Sequence, residues 1–249
     1  LFNFLVRPYP ENSFGAISIF ILPWLTGLWL TPQVQTDHAT SLDVAVIQPN
    51  IHLTQKRKPE SAQENIASLL NDSRSTIEKN VDLIVWPESS ISSYVLQGND
   101  YYLKWIQGKL QGSKLISGIP YYSDKEPERK YYNSAVLIQE DSIQNVYHKL
   151  KLVPMAEHIP LSDLFPLLKE LNLGQANFTR GTEYTIMDVN TVKCAAMICF
   201  ESTFPSLSRQ FVQTGAQVLI YLVNDGWYEN PPEPQQHARQ AVYRAIENR

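Results

Sequence analysis

Short apolar runs alternate with amphipathic stretches along most of this chain, and the two patterns predict different elements. Runs of roughly four to eight apolar residues, many of them β-branched, are typical of buried strands. Strands are predicted at residues 42–48, 81–85, 114–119, 133–139, 142–147, 184–189, 192–198 and 218–223. Apolar residues at helical spacing predict helices at residues 61–79, 101–110 and 233–249, and a short helix around 164–171 in a proline-rich, mostly irregular segment.

The order of these elements predicts an α/β domain. Strands alternate with helices, and residues 133–139 with 142–147, like 184–189 with 192–198, are close enough to form hairpins. Sheets covered by helices are the expected arrangement for this mixture. A chain of 249 residues, of which 43% are hydrophobic, is long enough to bury one sizeable core.

The N-terminal stretch departs from this pattern. Residues 14–30, FGAISIFILPWLTGLWL, carry no charge and are at the short end of what spans a bilayer as a helix. Trp24 and Trp29 suit a membrane interface. Arg7 precedes the stretch and no Lys or Arg follows it until Lys56, so the positive-inside rule places the rest of the chain outside the cytoplasm. A signal peptide and a buried helix are the alternative interpretations.

Charge and cysteine content narrow the function classes. The net charge of −4 and the lack of a basic stripe with interleaved aromatic residues argue against nucleic-acid binding. Cys194 and Cys199 would point to opposite faces if one strand carried both, so no disulfide between them is expected. The sequence has no CxxC or HExxH motif, and its five His are scattered, so neither a metal nor a cofactor is predicted.

Cys199 lies where the apolar run 192–198 gives way to helix-start signals. Ser202, Thr203 and Pro205 precede apolar residues at helical spacing. A cysteine at such a strand-to-helix turn lies near backbone N–H groups and the positive end of a helix dipole, which favours its thiolate. This environment suits a nucleophile, and a small buried hydrophobe is the alternative interpretation.

Glu88 and Lys149 also lie at strand ends. Burial at the end of the run 81–85 would raise the pKa of Glu88 toward that of a general base, whereas a turn-capping residue is the alternative. Lys149 follows the run 142–147, where an inward-pointing ammonium would stabilise an oxyanion. Lys151 is the competing candidate, because it shares that face if the strand continues. A solvated lysine is the alternative interpretation.

Three motifs in order resemble the Glu-Lys-Cys triad of the nitrilase superfamily. They are Trp86-Pro87-Glu88, Tyr147-His148-Lys149 and Ile198-Cys199-Phe200-Glu201. Within that superfamily the chain resembles the apolipoprotein N-acyltransferase family, because LVPMAEHIP at residues 152–160 is similar to that family's LVPFGEYVP. The resemblance extends over residues 43–249, with further similar motifs at residues 118–120, 132–135, 224–227 and 244–249.

The resemblance implies a fold and roles for individual residues. It implies a nitrilase-like α-β-β-α sandwich preceded by a transmembrane helix. Cys199 would be the nucleophile, Glu88 the general base and Lys149 the oxyanion partner. Glu157 matches a second glutamate of the catalytic site, which orients Lys149 or the amine. The substrate-binding or supporting residues that it implies are Phe200, Glu201 and Trp227.

The same resemblance implies a reaction at a membrane. A fatty acyl chain would pass from a phospholipid through a Cys thioester to the N-terminal diacylglyceryl-cysteine amine of a lipoprotein. Residues 1–41 would supply a membrane helix and a linker, and residues 42–249 a catalytic domain truncated at its C-terminal end, both belonging to a longer protein. The expected place is the bacterial inner membrane, with the catalytic domain, a monomer, on the periplasmic side.

Several positions depart from the family pattern, and other functions stay open. Phe200 stands where tyrosine is usual, Met155-Ala156 replaces Phe-Gly, and Lys56-Arg57 stands where the family often has Lys-Trp. The alternative enzyme is a membrane-tethered nitrilase-type amidase acting on a small amide, because only water in place of an amine separates the two reactions. An inactive nitrilase-like binding domain is the alternative without catalysis.

Overall fold

The computed structural model of the protein describes residues 10–30, 41–51, 62–91, 93–97, 100–124, 129–162, 165, 167–168, 176–227 and 232–248. The chain divides into two compact units. One comprises Leu1–Ser41 with Arg249, and the other comprises Leu42–Asn248. Every strand that the structure describes belongs to the second unit.

The first unit contains one helix, α1 (Pro10–Leu30), among its described residues. This helix confirms the helical element predicted at residues 14–30. Its large apolar side chains are exposed, among them Phe20 at 72% and Trp24 at 77% of their full surface. In the described part of the chain, none of the helices combines the length and the hydrophobicity that a bilayer span requires.

The larger sheet of the second unit has five strands that lie side by side in chain order. They are β1 (Val44–Val46), β2 (Leu83–Trp86), β3 (Lys114–Ser123), β4 (Lys130–Gln139) and β5 (Ser142–His148). β1, β2 and β3 are parallel, and helices α2 (Ala62–Ile77) and α3 (Asp100–Leu110) make the crossovers that parallel strands need. β4 and β5 form the predicted antiparallel hairpin.

The smaller sheet has three strands, β6 (Met187–Val189), β7 (Val192–Ile198) and β8 (Val218–Leu222). β6 and β7 form the second predicted hairpin, and β8 runs parallel to β7. The crossover from β7 to β8 is a 3₁₀ helix (Cys199–Thr203) followed by α4 (Pro205–Gln213), in which a proline occupies the first turn. After β8 come a 3₁₀ turn (Asp225–Trp227) and helix α5 (Glu233–Glu247).

Two hydrophobic clusters lie between the layers of this unit. Because side chains alternate along a strand, Leu83 and Val85 of β2 face one cluster, whereas Ile84 and Trp86 face the other. The first cluster joins the two sheets and continues to Phe211 of α4. The second cluster joins the larger sheet to α2 and α3. The layers therefore follow the α-β-β-α order that the resemblance implied.

The observed boundaries differ most from the predicted ones in β3 and β4. β3 continues to Ser123 and β4 begins at Lys130, beyond their apolar runs. Tyrosines extend this ladder, since Tyr121 pairs with Tyr132 and the neighbouring tyrosines pair likewise. The helix predicted around residues 164–171 lies largely outside the described residues.

Gly118 allows β3 to approach the turn that carries Glu88. A Cβ atom at Gly118 would lie 2.6 Å from the Cα atom of Glu88 and 2.8 Å from the carbonyl oxygen of Pro87. The Gly118 N–H donates to that Pro87 oxygen at 3.3 Å, and the Ser90 N–H donates to the Gly118 oxygen at 3.0 Å. The lack of a side chain at Gly118 therefore helps to fix the position of Glu88.

The variant Gly118→Ala is expected to lower the free energy of unfolding by about 1–3 kcal/mol, because the new methyl group must displace the Pro87–Glu88 backbone. Gly108→Ala in α3 is the matched control. No described atom outside that helix lies within 4 Å of its added Cβ, and alanine should stabilise the helix by about 0.5–1 kcal/mol. Urea unfolding followed by circular dichroism measures both variants. Equal stabilities would contradict the close approach at Gly118.

Candidate active site

Three predicted site residues come together from three different strand ends. Glu88 follows β2, Lys149 follows β5 and Cys199 follows β7. The Nζ atom of Lys149 lies 3.7 Å from Oε1 of Glu88, and the Cys199 thiol is near enough to Glu88 for each group to shift the pKa of the other. Lys149 is 1% exposed and Glu88 is 7% exposed, so both charged side chains are nearly removed from water, whereas Cys199 is only partly buried.

Glu157, which follows Lys149 in the sequence, also binds the Lys149 ammonium. Its Oε1 and Oε2 atoms lie 3.0 and 2.9 Å from Nζ of Lys149. The backbone N–H of Val153 donates to Oε2 of Glu157 at 2.8 Å, which fixes this carboxylate within its own loop. The Lys149 ammonium therefore lies near two carboxylates, and Glu157 is the closer one.

Asn133 connects the two carboxylates, and sequence reasoning did not identify it as a site residue. Its Nδ2 amide group donates to Oε1 of Glu88 and to Oε1 of Glu157, both at 2.8 Å. Asn133 lies in β4 beside the end of β5, and its carbonyl oxygen accepts the backbone N–H of Lys149 at 2.9 Å. One side chain and its backbone thus hold three members of the cluster.

Burial and charge set the protonation of Glu88 and Lys149. Burial raises the pKa of Glu88, and the Lys149 charge and the Asn133 hydrogen bond oppose this effect only in part. Burial alone would lower the pKa of Lys149, but the carboxylates of Glu88 and Glu157 outweigh it and raise that pKa. The two carboxylates therefore favour the charged form of Lys149, whereas Glu88 takes up a proton more readily than an exposed glutamate.

Cys199 occupies a strained position at the end of β7. Its φ angle is 49°, a left-handed value that residues other than glycine seldom adopt. Burial and the negative charge of Glu88 raise the pKa of the Cys199 thiol to about 12, although Lys149 and the backbone N–H of Phe200 lower it in part. The prediction that this turn favours the thiolate is wrong for the resting protein, because burial outweighs the N–H groups. A thiol with a raised pKa would need a nearby base in order to act as a nucleophile.

Glu201 supports the site from beneath and is completely buried. Its Oε1 atom accepts hydrogen bonds from the Tyr147 hydroxyl and from the backbone N–H groups of Leu150 and Lys151, at 2.8, 2.7 and 3.0 Å. Its Oε2 atom accepts the backbone N–H of Ile198 at 2.8 Å. A single carboxylate therefore ties the end of β5 to the end of β7.

The other predicted residues lie around this centre. The Phe200 ring packs edge-on against Phe204, with 5.0 Å between ring centroids. Lys151 Nζ lies 5.7 Å from the Phe204 ring centroid, so the competing lysine contacts an aromatic face. Trp227 belongs to the 3₁₀ turn Asp225–Trp227, but its side chain lies outside the described part of the structure.

Sequence reasoning also missed Asp225 and His237, which lie next to Cys199. His237 Nδ1 is 2.8 Å from Oδ1 of Asp225, and His237 Nε2 is 3.0 Å from the backbone oxygen of Cys199. The sulfur of Cys199, a carboxylate oxygen of Asp225 and a ring nitrogen of His237 all lie within 4.8 Å of one another. Among the described residues, this is the group whose donor atoms are close enough to hold a metal ion.

Solved structures share this fold at low sequence identity. The glutamine-dependent NAD+ synthetase of Acinetobacter baumannii has a TM-score of 0.57 and 16% identity, covering 82% of this chain and 36% of that one. A nitrilase-superfamily amidase of Nesterenkonia has a TM-score of 0.55 and 18% identity, covering 85% and 74%. These similarities support the nitrilase-like α/β fold.

Curated relatives align with almost the whole chain. Apolipoprotein N-acyltransferase of Geobacter metallireducens is 32% identical over 247 residues, covering 97% of this chain and 47% of the relative. The apolipoprotein N-acyltransferase of Chlorobaculum tepidum is 31% identical over 285 residues, covering 100% and 52%. The chain therefore spans about half the length of the curated relatives it matches.

The carbon-nitrogen hydrolase family matches residues 43–249. That range contains both sheets and the strand ends that carry Glu88, Lys149 and Cys199. The chain belongs to the carbon-nitrogen hydrolase family.

Proposed function

We propose that this protein is a phospholipid:apolipoprotein N-acyltransferase that carries the fatty acyl group as a thioester on Cys199. The observation that carries the proposal is the convergence of Glu88, Lys149 and Cys199, each of which shifts the pKa of the others. A base, a cation and a sulfur close together are the groups that acyl transfer requires. Similarity to curated N-acyltransferases supports the choice of substrates.

In the first half-reaction, Glu88 accepts the thiol proton while the Cys199 sulfur attacks the ester carbonyl carbon of a phospholipid. The carbonyl π electrons move onto oxygen and form a tetrahedral intermediate. When the intermediate collapses, the ester C–O bond breaks and Glu88 returns the proton to the leaving oxygen. The products are an acyl thioester on Cys199 and a lysophospholipid. The raised pKa of Glu88 suits a group that both accepts and returns a proton.

Lys149 stabilises the negative oxygen of this intermediate. Its ammonium is buried and already charged, so it needs no reorganisation when charge develops on the substrate. Glu157 holds that ammonium, and the backbone N–H of Phe200, which points to the Cys199 sulfur, supplies a second donor. Glu157 therefore orients Lys149, while Glu88 exchanges protons.

In the second half-reaction, the α-amine of a diacylglyceryl-cysteine attacks the thioester carbonyl. Glu88 removes a proton from the attacking amine, the C–S bond breaks, and the proton returns to the Cys199 sulfur. The products are the N-acylated lipoprotein and the free thiol. Water in place of the amine would give hydrolysis, which is the reaction of the alternative amidase.

The substrates place the reaction at a membrane, and α1 has a surface suited to lipid. Ile19, Phe20, Leu22, Trp24 and Leu25 all expose roughly half or more of their side-chain surface on this one helix. A helix that is apolar on every side is stable when other apolar groups, such as lipid chains, cover it. The proposed location is the bacterial inner membrane, with α1 in contact with lipid and the catalytic domain on the periplasmic side.

Replacing the nucleophile is expected to abolish acyl trapping. Cys199→Ser should give no trapped acyl-enzyme from labelled phospholipid, because a hydroxyl has a much higher pKa and is a poorer nucleophile. Cys194→Ser is the matched control and should trap as wild type does, since Cys194 lies buried within β7. Mass spectrometry of the protein without acceptor measures the adduct, and a diacylglyceryl peptide should then remove it.

The same experiment separates the two enzyme classes. A fatty-acyl adduct on Cys199 that a diacylglyceryl peptide removes supports the transferase. Ammonia release from small amides, with no adduct from phospholipid, would favour the amidase. Trapping that Cys194→Ser abolishes and Cys199→Ser preserves would overturn the assignment of the nucleophile.

The two lysines at the end of β5 should differ sharply. Lys149→Met is expected to lower the rate of acyl-enzyme formation by roughly 10²–10³-fold, because the oxyanion loses a fixed donor. Lys151→Met removes only the contact with Phe204 and should change that rate by less than about threefold. Single-turnover kinetics with labelled phospholipid measure both variants. A larger effect at Lys151 would show that Lys151, and not Lys149, stabilises the oxyanion.

Charged residues on α1 should weaken lipid binding. The double variant Phe20→Asp and Leu25→Asp is expected to reduce flotation with phosphatidylethanolamine–phosphatidylglycerol vesicles, because carboxylates resist transfer into lipid. Thr26→Ser is the matched control, since it keeps the hydroxyl that donates to Leu22 within the helix. Unchanged flotation of the double variant would show that α1 does not hold the protein on the bilayer.

A further inference from the structure

Three side chains beside the strained turn at Cys199 bring sulfur, oxygen and nitrogen atoms together. Cys199 follows β7, Asp225 begins the 3₁₀ turn after β8, and His237 lies near the start of α5. Their donor atoms all lie within 4.8 Å of one another. The side chains of His237 and Asp225 are 8% and 19% exposed, so the group is largely buried yet open to a small ion.

This combination of donor atoms suits Zn²⁺. Cysteine sulfur, histidine nitrogen and carboxylate oxygen are the ligands that Zn²⁺ takes in proteins, and three protein ligands with one open position form a known arrangement. The thiolate and the carboxylate together carry two negative charges, which balance the charge of the ion. Mg²⁺ and Ca²⁺ prefer sites made of oxygen atoms, so the sulfur of Cys199 argues against them.

The contacts of His237 leave one ring nitrogen for a metal ion. Nε2 lies 3.0 Å from the backbone oxygen of Cys199, and Nδ1 lies 2.8 Å from Oδ1 of Asp225. Both oxygens are acceptors, whereas a neutral imidazole has a single N–H. A metal-bound histidine typically donates its other N–H to a carbonyl or carboxylate. With Nε2–H on the Cys199 carbonyl, a metal ion at Nδ1 satisfies both the ring and the Asp225 carboxylate.

The distances within the group are close to those that a tetrahedral site requires. Bond lengths to Zn²⁺ of about 2.0–2.3 Å place neighbouring ligand atoms about 3.3–3.6 Å apart. The Nδ1 atom of His237 and Oδ1 of Asp225, now at 2.8 Å, need to separate slightly. The sulfur of Cys199, at no more than 4.8 Å, needs to approach them. Small side-chain rotations therefore complete the site.

Glu233 adds negative charge beside the group. It lies one turn before His237 on α5 and is near enough to Asp225 and His237 to interact electrostatically with both. Its Oε2 atom is buried and has no hydrogen-bond partner among the described residues. A buried carboxylate oxygen without a donor favours a cation nearby, because the cation compensates for the lost hydration.

We propose that Cys199, Asp225 and Nδ1 of His237 form a Zn²⁺ site that converts the nucleophile into an inactive metal thiolate. Binding forms Zn–S, Zn–O and Zn–N bonds, while the thiol proton and the proton between His237 and Asp225 leave to solvent. The sulfur electron pair is then donated to the ion and does not attack a carbonyl. The site itself stands on the geometry, whereas its inhibitory effect rests on the proposed role of Cys199.

Cobalt absorption tests the site in tag-free protein of the full sequence. Co²⁺ stands in for Zn²⁺, whose filled d shell gives no such spectrum, and a thiolate bound to Co²⁺ gives a charge-transfer band in the near ultraviolet. The band is expected in wild type and in Cys194→Ser, and it should be missing in Cys199→Ser. Added Zn²⁺ should displace Co²⁺ and remove the band. Wild type without the band would overturn the proposal.

The other two ligands are tested by Asp225→Asn and His237→Gln. Each variant should weaken Co²⁺ binding by at least about tenfold, because loss of a partner outside the ligand shell already costs that much. Gln236→Ala is the matched control on α5 and should bind as wild type does, since Gln236 is exposed. Unchanged affinity in both ligand variants would mean that the thiol binds cobalt alone, which would refute the three-ligand site.

X-ray absorption of the zinc-bound wild type keeps the test decisive if a variant does not fold. The expected shell has one sulfur at about 2.3 Å and nitrogen or oxygen atoms at about 2.0–2.2 Å. A shell without sulfur would contradict the assignment of Cys199 as a ligand.

Protection of the thiol measures the inhibitory effect. With free Zn²⁺ at about ten times its Kd, mass action leaves about one site in eleven free, so alkylation of Cys199 by iodoacetamide should slow about tenfold. Formation of the acyl-enzyme from labelled phospholipid should slow by the same factor, and EDTA should restore both rates.

These readouts separate the inference from the proposed function. Cobalt binding and alkylation need neither phospholipid nor lipoprotein. If Co²⁺ binds as expected and no acyl-enzyme forms in metal-free protein, the proposed function fails while the metal site stands. If the acyl-enzyme forms and saturating Zn²⁺ does not slow it, the inhibitory site fails while the proposed function stands.

Discussion

The buried ammonium of Lys149 is the constraint on which the site depends. A cation that is 1% exposed is stable only with negative partners, and Glu157 and Glu88 supply them from a loop and from a strand end. Asn133 then joins these carboxylates to each other. Each of these side chains is held by its contacts with the others, so the cluster is already arranged in the protein without a bound molecule.

Cys199, the proposed nucleophile, reaches this cluster from the other sheet. Glu88 and Lys149 follow strands of the larger sheet, whereas Cys199 follows β7 of the smaller one. Their alignment therefore depends on the packing of two sheets and on direct ties between them. Glu201 makes such a tie, because its two oxygens bind backbone N–H groups at the ends of both β5 and β7. The buried Glu201 carboxylate therefore helps to hold Lys149, after β5, and Cys199, after β7, in a constant relative position.

The sequence pattern indicated candidate residues where strands end, and the resemblance of three motifs to a known family selected among the alternatives. Glu88, Lys149 and Cys199 each follow a strand that its apolar residues predict. Asn133 lies in the similar motif at residues 132–135, but its place at the start of a strand does not indicate which side chains it would contact. His237 lies in an amphipathic helix, where a polar residue normally faces water. Its contact with Cys199 joins residues that are 38 positions apart in the sequence, which a local pattern cannot predict.

The protonation of Cys199 could not be predicted for a related reason. Local spacing indicated N–H groups near the sulfur, and one of them, at Phe200, is present. The decisive influence is burial by distant parts of the chain, together with the charge of Glu88. Contacts made by remote segments therefore determine the acid–base state, and a pattern within one segment identifies only the candidate residue.

The left-handed backbone at Cys199 also restricts which nucleophiles this site can use. Branching at Cβ makes a positive φ angle especially unfavourable. Threonine, a nucleophile in other enzymes, is therefore strongly disfavoured here by backbone geometry, whatever its hydroxyl chemistry. Serine has no branch at Cβ, so Cys199→Ser preserves the backbone of this turn and changes only the chemistry of the proposed nucleophile.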